Sequence, residues 1–207
     1  AANCPHNDTH SNWMTHSCAT HGGNPYPTHG IGPIAQLLGF HRGDRMERLV
    51  SITSRGSKAN GEDPIGRINT ALIQTHREVS ILLQLDVTTP RPYSRIQTIC
   101  GTKAYAQKYP ITTLQLDNTH TLTGSEAEKK LKEYATSDAA RLWIEGHQMG
   151  VANEMNYAMD ARLIQCLQKG LPLDIDAYDA AEWSSLAELT RISAEQGGRI
   201  VEIPHFI

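Results

Sequence analysis

The segment RINTALIQTHREVSILLQLDVTT, residues 67–89, decides the fold. Two runs rich in Ile, Leu, Val and Thr, at 67–75 and 79–89, are joined by the short polar link 76–78. In the second run an apolar residue stands at every second position: Ile81, Leu83, Leu85 and Val87. This alternation predicts a half-buried strand, and the short link predicts a hairpin between antiparallel strands.

Similar runs at 48–55 and 94–102 flank this hairpin, so the sequence predicts an antiparallel meander. The residues at 199–204 predict a last short strand. A sheet of this kind needs a cover on one face. The predicted class is therefore α+β, with one sheet and with helices packed on one side.

Four segments of the chain have the pattern of helices. Residues 28–39 predict a short helix that Gly39 ends, and the charged residues 124–136 predict a surface helix. A third has an apolar stripe on one face, made by Met155, Met159, Leu163, Cys166 and Leu167. The fourth starts after Asp176 and has Asp179 at its third position. Its apolar residues are predicted to face the core: Trp183, Leu186, Leu189 and Ile192.

Composition excludes several classes of protein. The 207 residues are 39% hydrophobic and 20% charged, which is typical of a globular chain and not of a disordered one. No apolar run approaches the ~18 residues of a membrane span. The formal net charge of -3 argues against a dedicated nucleic-acid partner. We therefore expect neither a membrane nor a nucleic acid as partner.

The first residues, AANCPHNDTH, lack an initiator Met and any signal-peptide pattern. We expect that a preceding segment has been removed, so the sequence assigns no compartment. Residues 1–27 predict an irregular loop. His6 and His10 lie four residues apart in it, but loop spacing is uninformative and no metal is predicted. The four cysteines are scattered and predict free thiols: Cys4, Cys18, Cys100 and Cys166.

The letters Gly30-x-Gly32-x-x-Ala35 match a dinucleotide-binding fingerprint, but their context does not. They follow a proline-containing loop and lie outside any βαβ unit. Pro33 stands where a phosphate would need a backbone N–H. We therefore reject nucleotide binding by this segment.

The preceding segment, Gly22 to Gly30, has the composition of a rigid polar turn at the start of a helix. Pro25 and Pro27 restrict the backbone, so Tyr26 and His29 are held in place. The positive end of the helix favours a neutral imidazole at this position. A phenol beside a neutral imidazole can donate to sugar hydroxyls and move protons between them. A purely structural turn is the alternative.

The sequence NPYPTHGIGPIAQ (24–36), followed by RGDR (42–45), closely resembles a segment of the Gfo/Idh/MocA superfamily. The branch is that of the NAD-dependent α-N-acetylgalactosaminidases. Three further stretches, DVTTPRPYSR (86–95), GLPLD (170–174) and YDAAEWS (178–184), keep the order of that branch. Several long motifs in one order make the resemblance specific.

The resemblance implies a C-terminal domain, residues 1–207, built on a large open, mostly antiparallel sheet without its Rossmann domain. The missing N-terminal domain would bind NAD. The exposed sheet face would form a homo-oligomer contact. The implied activity is sugar or glycoside cleavage by transient oxidation at C3, and this chain alone is expected to be inactive.

By motif position the resemblance implies catalytic roles for Tyr26 and His29, with Tyr26 also contacting the cofactor. It implies substrate contacts for four further residues: Asn24, Tyr109, His6 and His147. Met14 replaces a substrate-binding arginine of the glycosidases, and Cys4 stands where they have a tyrosine. Two alternatives therefore stay open, a simple sugar or cyclitol dehydrogenase and a non-catalytic carbohydrate-binding or assembly domain.

Overall fold

The structure is a computed structural model that describes residues 17, 20–55, 67–86, 91–117, 119–135 and 137–206. The chain divides into two compact units. The first combines the described residues up to Arg91 with those from Ile175 onward, and the second is Pro92–Asp174. That residues 1–207 act together as one domain stays a prediction. Within the predicted loop 1–27, residues 17 and 20 are helical and 21–27 form no helix or strand.

The first unit is an antiparallel sheet covered by two helices, as the α+β prediction requires. Its elements in chain order are α1 (Thr28–Leu38), β1 (Met46–Arg55), β2 (Arg67–Thr75), β3 (Ser80–Leu85), α5 (Ala177–Glu195) and β8 (Val201–Glu202). The strand order is β3-β2-β1-β8, and every pair is antiparallel. The predicted hairpin is confirmed, since the Thr75 N–H donates to the Val79 carbonyl across the turn.

Alternate residues of this sheet face the helices. Ile73 of β2 lies opposite Leu49 of β1 and Ile81 of β3, and all three are buried. On the helix side they meet residues of α1, of α5 and of the turn after α1 in one core, which contains Ile31, Ala35, Phe40, Trp183 and Leu186. The cover of the sheet is therefore α1 and α5. Of the residues predicted to face inward on α5, Trp183 and Leu186 are buried, Leu189 packs partly buried against the core, and Ile192 is half-buried.

The second unit is a smaller antiparallel sheet with three helices. Its elements are β4 (Thr98–Cys100), β5 (Tyr105–Gln107), β6 (Thr113–Gln115), β7 (Thr121–Thr123), α2 (Gly124–Glu133), α3 (Asp138–Met149) and α4 (Glu154–Lys169). The strands pair in chain order, β4-β5-β6-β7. Each has three residues, so the sheet is short.

Two predictions for this part of the chain are wrong. The run 94–102 does not extend the first meander, because Ile96 and Gln97 take left-handed φ values of 61° and 44° that interrupt an extended strand. The stripe on α4 is not core, because it is exposed apart from Cys166. No helix among the described residues has the length and hydropathy that a membrane span requires.

The helix predicted to follow Asp176 is confirmed as α5, and its N-terminus is a capping box. The Asp176 carboxylate accepts the N–H groups of Tyr178 at 2.8 Å and Asp179 at 3.0 Å, and the Asp179 carboxylate accepts the Asp176 N–H at 3.0 Å. These bonds stabilise donors that a helix start otherwise leaves unpaired. The hydrogen bond from the Asp179 N–H is the main cause that holds the pKa of Asp176 below its ordinary value.

Replacing Asp176 by Ala should lower the free energy of unfolding by about 1 kcal/mol at neutral pH. Because the pKa of Asp176 is lower in the folded protein than in the unfolded chain, the carboxylate stabilises the fold at pH values above its ordinary pKa. This contribution is lost as the pH falls through the folded-state pKa. The matched variant Asp176→Asn keeps an acceptor and cannot titrate. Thermal unfolding should be measured at pH 7 and below about pH 4. At pH 7 the stability of Asp176→Asn should be close to that of the wild type, and at the lower pH the wild type should have lost more stability than the variant. Parallel pH profiles for the two would contradict this account.

Candidate active site

Tyr26 and His29 form a contacting pair at the start of α1. The Tyr26 hydroxyl lies 3.0 Å from Nε2 of His29. The two rings are stacked, with centroids 4.5 Å apart and an angle of 26° between their planes. Tyr26 is half-buried and His29 is exposed, so the pair reaches the protein surface. A proton can pass between the phenol oxygen and the imidazole nitrogen across this hydrogen bond.

The backbone of the turn explains why the pair meets. The Tyr26 N–H donates to Oδ1 of Asn24 at 3.0 Å, which closes an Asx turn. Pro27 is the residue before α1, and its carbonyl accepts the first N–H groups of the helix, from Gly30 and Ile31. The helix therefore begins between the two aromatic side chains and sets their separation. Thr28 is the first residue of α1, and no side chain caps this end.

Asn24 is buried beneath the turn that carries Tyr26. It is 1% exposed, and its side-chain oxygen is engaged by the Tyr26 N–H. Asn24 therefore shapes the turn, and its predicted contact with substrate stays a prediction.

The glycines of the rejected fingerprint serve helix packing. Gly30 and Gly32 lie inside α1, after an irregular turn and not after a strand. A Cβ at Gly32 would come within 3.1 Å of the Trp183 ring. Gly32 thus lets α1 approach α5 closely.

Sequence reasoning missed an electrostatic cluster that joins two of the matched motifs. The Arg42 guanidinium makes a two-point ion pair with the buried Asp179, at 3.3 and 3.0 Å. Beside it, Glu182 accepts the Met46 N–H at 3.0 Å, and its other oxygen lies 3.0 Å from Nε2 of His41. Burial raises the pKa of Glu182, while the Met46 N–H and His41 oppose the shift. The cluster fixes the turn before β1 to the first turns of α5.

Two predicted site residues lie in the second unit. Tyr109 packs edge to face with Tyr93, at a centroid distance of 5.9 Å, and Nε of Arg95 donates to the Tyr93 hydroxyl at 2.7 Å. The His147 side chain is 77% exposed near the end of α3, with Nδ1 3.0 Å from a Glu154 oxygen. This hydrogen bond lowers the pKa of Glu154. Their contact with substrate stays a prediction.

His6 lies outside the described residues, as do Cys4 and Met14. Cys100 and Cys166 are free thiols. Within the described ranges, no three His, Cys, Asp or Glu side chains come together as a metal ion would require.

Comparison with known proteins decides the family. The family "Glycosyl hydrolase 109, C-terminal domain" matches residues 4–64 and 59–207, which is almost the whole chain. The chain belongs to this family. The resemblance to the α-N-acetylgalactosaminidase-like glycosidases that the sequence indicated is thereby confirmed.

Two relatives show how much of a full-length protein this glycosyl hydrolase 109 domain represents. It is 48% identical to "Glycosyl hydrolase family 109 protein 2" of Phocaeicola vulgatus, covering 95% of this chain and 52% of that protein. It is 46% identical to "Alpha-N-acetylgalactosaminidase" of Bacteroides fragilis, covering 95% of this chain and 50% of that protein. The chain thus spans about half the length of the curated relatives it matches.

Solved structures share the fold of the glycosyl hydrolase 109 domain. An inositol dehydrogenase homologue from Azotobacter vinelandii, in complex with NADH and myo-inositol, superposes with a TM-score of 0.51 at 15% identity. That match covers 86% of this chain and 48% of the other. An oxidoreductase domain protein from Kribbella flavida gives 0.52 at 14% identity, over 86% and 51% of the two chains. These likenesses concern the fold alone, and they confirm the predicted α+β class.

Proposed function

We propose that the full-length protein is an NAD-dependent glycosidase that cleaves a sugar or glycoside through transient oxidation at C3. The observation that carries the proposal is the Tyr26–His29 pair, with 3.0 Å between the phenol oxygen and Nε2. The family membership supports a sugar as substrate, and the relative named as an α-N-acetylgalactosaminidase supports an N-acetylgalactosaminide.

The described residues of this chain are compatible with a side-chain contact to NAD, but they do not form an NAD-binding fold. Tyr26 lies at the surface, where its hydroxyl could meet a cofactor bound elsewhere in the full-length protein. Gly30 and Gly32 are committed to packing inside α1. We therefore assign the main cofactor site to the Rossmann domain expected in the other half of the full-length protein. When bound, NAD supplies reversible hydride transfer at sugar C3, which makes the neighbouring C2–H acidic.

The chain's own contribution is acid–base chemistry at the sugar. In this proposal the Tyr26 oxygen takes a proton from the substrate, and Nε2 of His29 shares that proton across the hydrogen bond between them. Such a mechanism needs no pair of catalytic carboxylates, unlike most glycosidases. Tyr109, His147 and His6 are proposed to contact the substrate.

We also propose that the outer face of the first sheet joins copies of this protein. This face carries exposed apolar side chains on three neighbouring strands: Ile52, Leu72 and Leu82. Leu72 and Leu82 are direct partners in the ladder between β2 and β3, so they form one continuous apolar row.

The test incubates full-length protein with an aryl α-N-acetylgalactosaminide in D2O. We expect release of the phenol, deuterium at C2 of the sugar and no net NADH, because the cofactor is regenerated in each cycle. Accumulation of NADH would favour the dehydrogenase alternative. Absence of both exchange and NADH across a panel of glycosides would reject catalysis and leave a carbohydrate-binding domain.

A further inference from the structure

We propose that Thr190, on α5, is a positioning residue for the Tyr26–His29 pair. The inference rests on the proposed function, since it assigns the pair an activity that its placement controls. Thr190 lies 166 residues beyond the turn it contacts and belongs to none of the matched motifs.

The first step is a buried hydrogen bond from the turn to the helix. The Asn24 N–H donates to Oγ1 of Thr190 at 2.8 Å, and both residues are at most 1% exposed. The Thr190 hydroxyl donates its own proton to the helix carbonyl of Leu186 at 2.7 Å. With the proton held by the helix, an oxygen lone pair is fixed toward Asn24.

The second step is the connection from Asn24 to Tyr26. Oδ1 of Asn24 accepts the Tyr26 N–H at 3.0 Å, so two consecutive hydrogen bonds connect Thr190 to Tyr26. Pro25 and Pro27 restrict the φ angles on either side of Tyr26. A shift of Asn24 is therefore passed to the phenol and is not absorbed by the turn.

The opposite side of the turn is anchored to the sheet. The Thr53 hydroxyl donates to the Gly22 carbonyl, and Nδ2 of Asn69 donates to Oγ1 of Thr53 at 2.8 Å. Asn69 is fully buried and also donates to Oγ of Ser51 at 2.8 Å. The turn is thus held between α5 on one side and the sheet on the other, and of the bonds named here the one to Thr190 leads on to Tyr26 through Asn24.

The variant Thr190→Val keeps the volume of the side chain and removes its acceptor. The Asn24 N–H would then lie buried without a partner, so the turn would shift to reach another one. Displacing a catalytic group by about 1 Å costs on the order of 100-fold in rate. We expect kcat to fall about 10- to 100-fold with KM unchanged, because the pair acts on bond breaking and not on uniform binding. Thr190→Ser, which keeps Oγ, should restore kcat.

The matched control is Thr75→Val. Thr75 is also buried, and its Oγ1 also accepts a backbone N–H, from Val79 at 3.2 Å, but it lies in the β2–β3 hairpin. Both variants should lose stability, whereas kcat and C2 exchange should fall only in Thr190→Val. Equal kcat in the two variants, after correction for the folded fraction, would overturn the inference.

A second measurement separates this inference from the proposed function. In full-length protein labelled with ¹⁵N-histidine, the Nε2 resonance of His29 reports its hydrogen bond to Tyr26 whether or not the protein turns over substrate. Thr190→Val should move this resonance, and Thr75→Val and Thr190→Ser should not. An unmoved resonance in Thr190→Val overturns the positioning role, while absence of C2 exchange in the wild type overturns the proposed function alone.

Discussion

Replacing Tyr26 by Phe in the full-length protein should lower kcat by about 10²- to 10⁴-fold, the range of a lost general acid–base group. The change removes only the hydroxyl that lies 3.0 Å from Nε2 of His29, and it keeps the stacked ring. Stability should therefore change little. Steady-state kinetics with an aryl glycoside, together with the rate of deuterium incorporation at C2, would measure the loss.

The partner of the pair should behave as part of one unit. His29→Ala should cost a similar factor, and the double variant Tyr26→Phe/His29→Ala should cost little more than either single change. Tyr178→Phe is the matched control, because Tyr178 is an exposed tyrosine in the first turn of α5. Wild-type turnover in Tyr26→Phe would show that the site assignment is wrong. Additive losses would show that the two side chains act independently.

Replacing Gly23 by Ala should destabilise the protein strongly and abolish activity. A Cβ at this position would lie 2.5 Å from Oγ1 of Thr190 and 2.8 Å from Cα of Arg191, and it would also overlap the Arg191 backbone nitrogen. The backbone of α5 cannot move aside as a flexible side chain can. Forced overpacking of this kind costs about 1–3 kcal/mol or more. It would also push Asn24 away from Thr190.

The neighbouring glycine provides the control. At Gly22 a Cβ would meet Oε1 of Glu195 at 3.2 Å and Cγ of Arg191 at 3.3 Å, both on long side chains that can adjust. Gly22→Ala should therefore change the free energy of unfolding by less than about 0.5 kcal/mol. Thermal unfolding and specific activity would compare the variants. Equal effects at the two positions would mean that the turn does not press on α5 as described.

The parts of the fold that could be predicted are those with local signals. Asp176 and Asp179 indicate where α5 begins, because a capping box involves only residues three positions apart in the sequence. The link 76–78 predicts its hairpin for the same reason. The helix α3 was missed although it also has local signals, the cap at Ser137 and the left-handed Gly150.

The first sheet shows what local patterns cannot give. The alternation in β2 is broken because Leu72 lies on the exposed outer face while the polar Asn69 is buried. Asn69 is accommodated by donating to Ser51 and Thr53 of the neighbouring strand. A buried polar residue becomes intelligible only when its partners are known. The same holds for the second unit, where the left-handed Ile96 and Gln97 interrupt a segment with strand composition.

The candidate site also has a part that local sequence patterns predict and a part that they do not. Tyr26 and His29 could be found because prolines and a helix start lie in the same ten residues. The residues that hold them could not, since Thr190 meets Asn24 across 166 residues and carries no signal in its own neighbourhood. Sequence motifs thus indicate the side chains of the candidate pair, and the tertiary structure shows which distant residues contact the turn that carries them.

The first unit is discontinuous, and this has a consequence for how the protein is made. Its α1 and first three strands are synthesised before Pro92–Asp174, and its α5 and last strand after it. The ribosome must add 166 residues after Asn24 before the acceptor for its N–H exists. At roughly 5–20 residues per second this takes about 10–30 s. For the later part of that time, after Leu85 has been added, the inner face of the first three strands lacks α5, and its apolar side chains are open to non-native contacts.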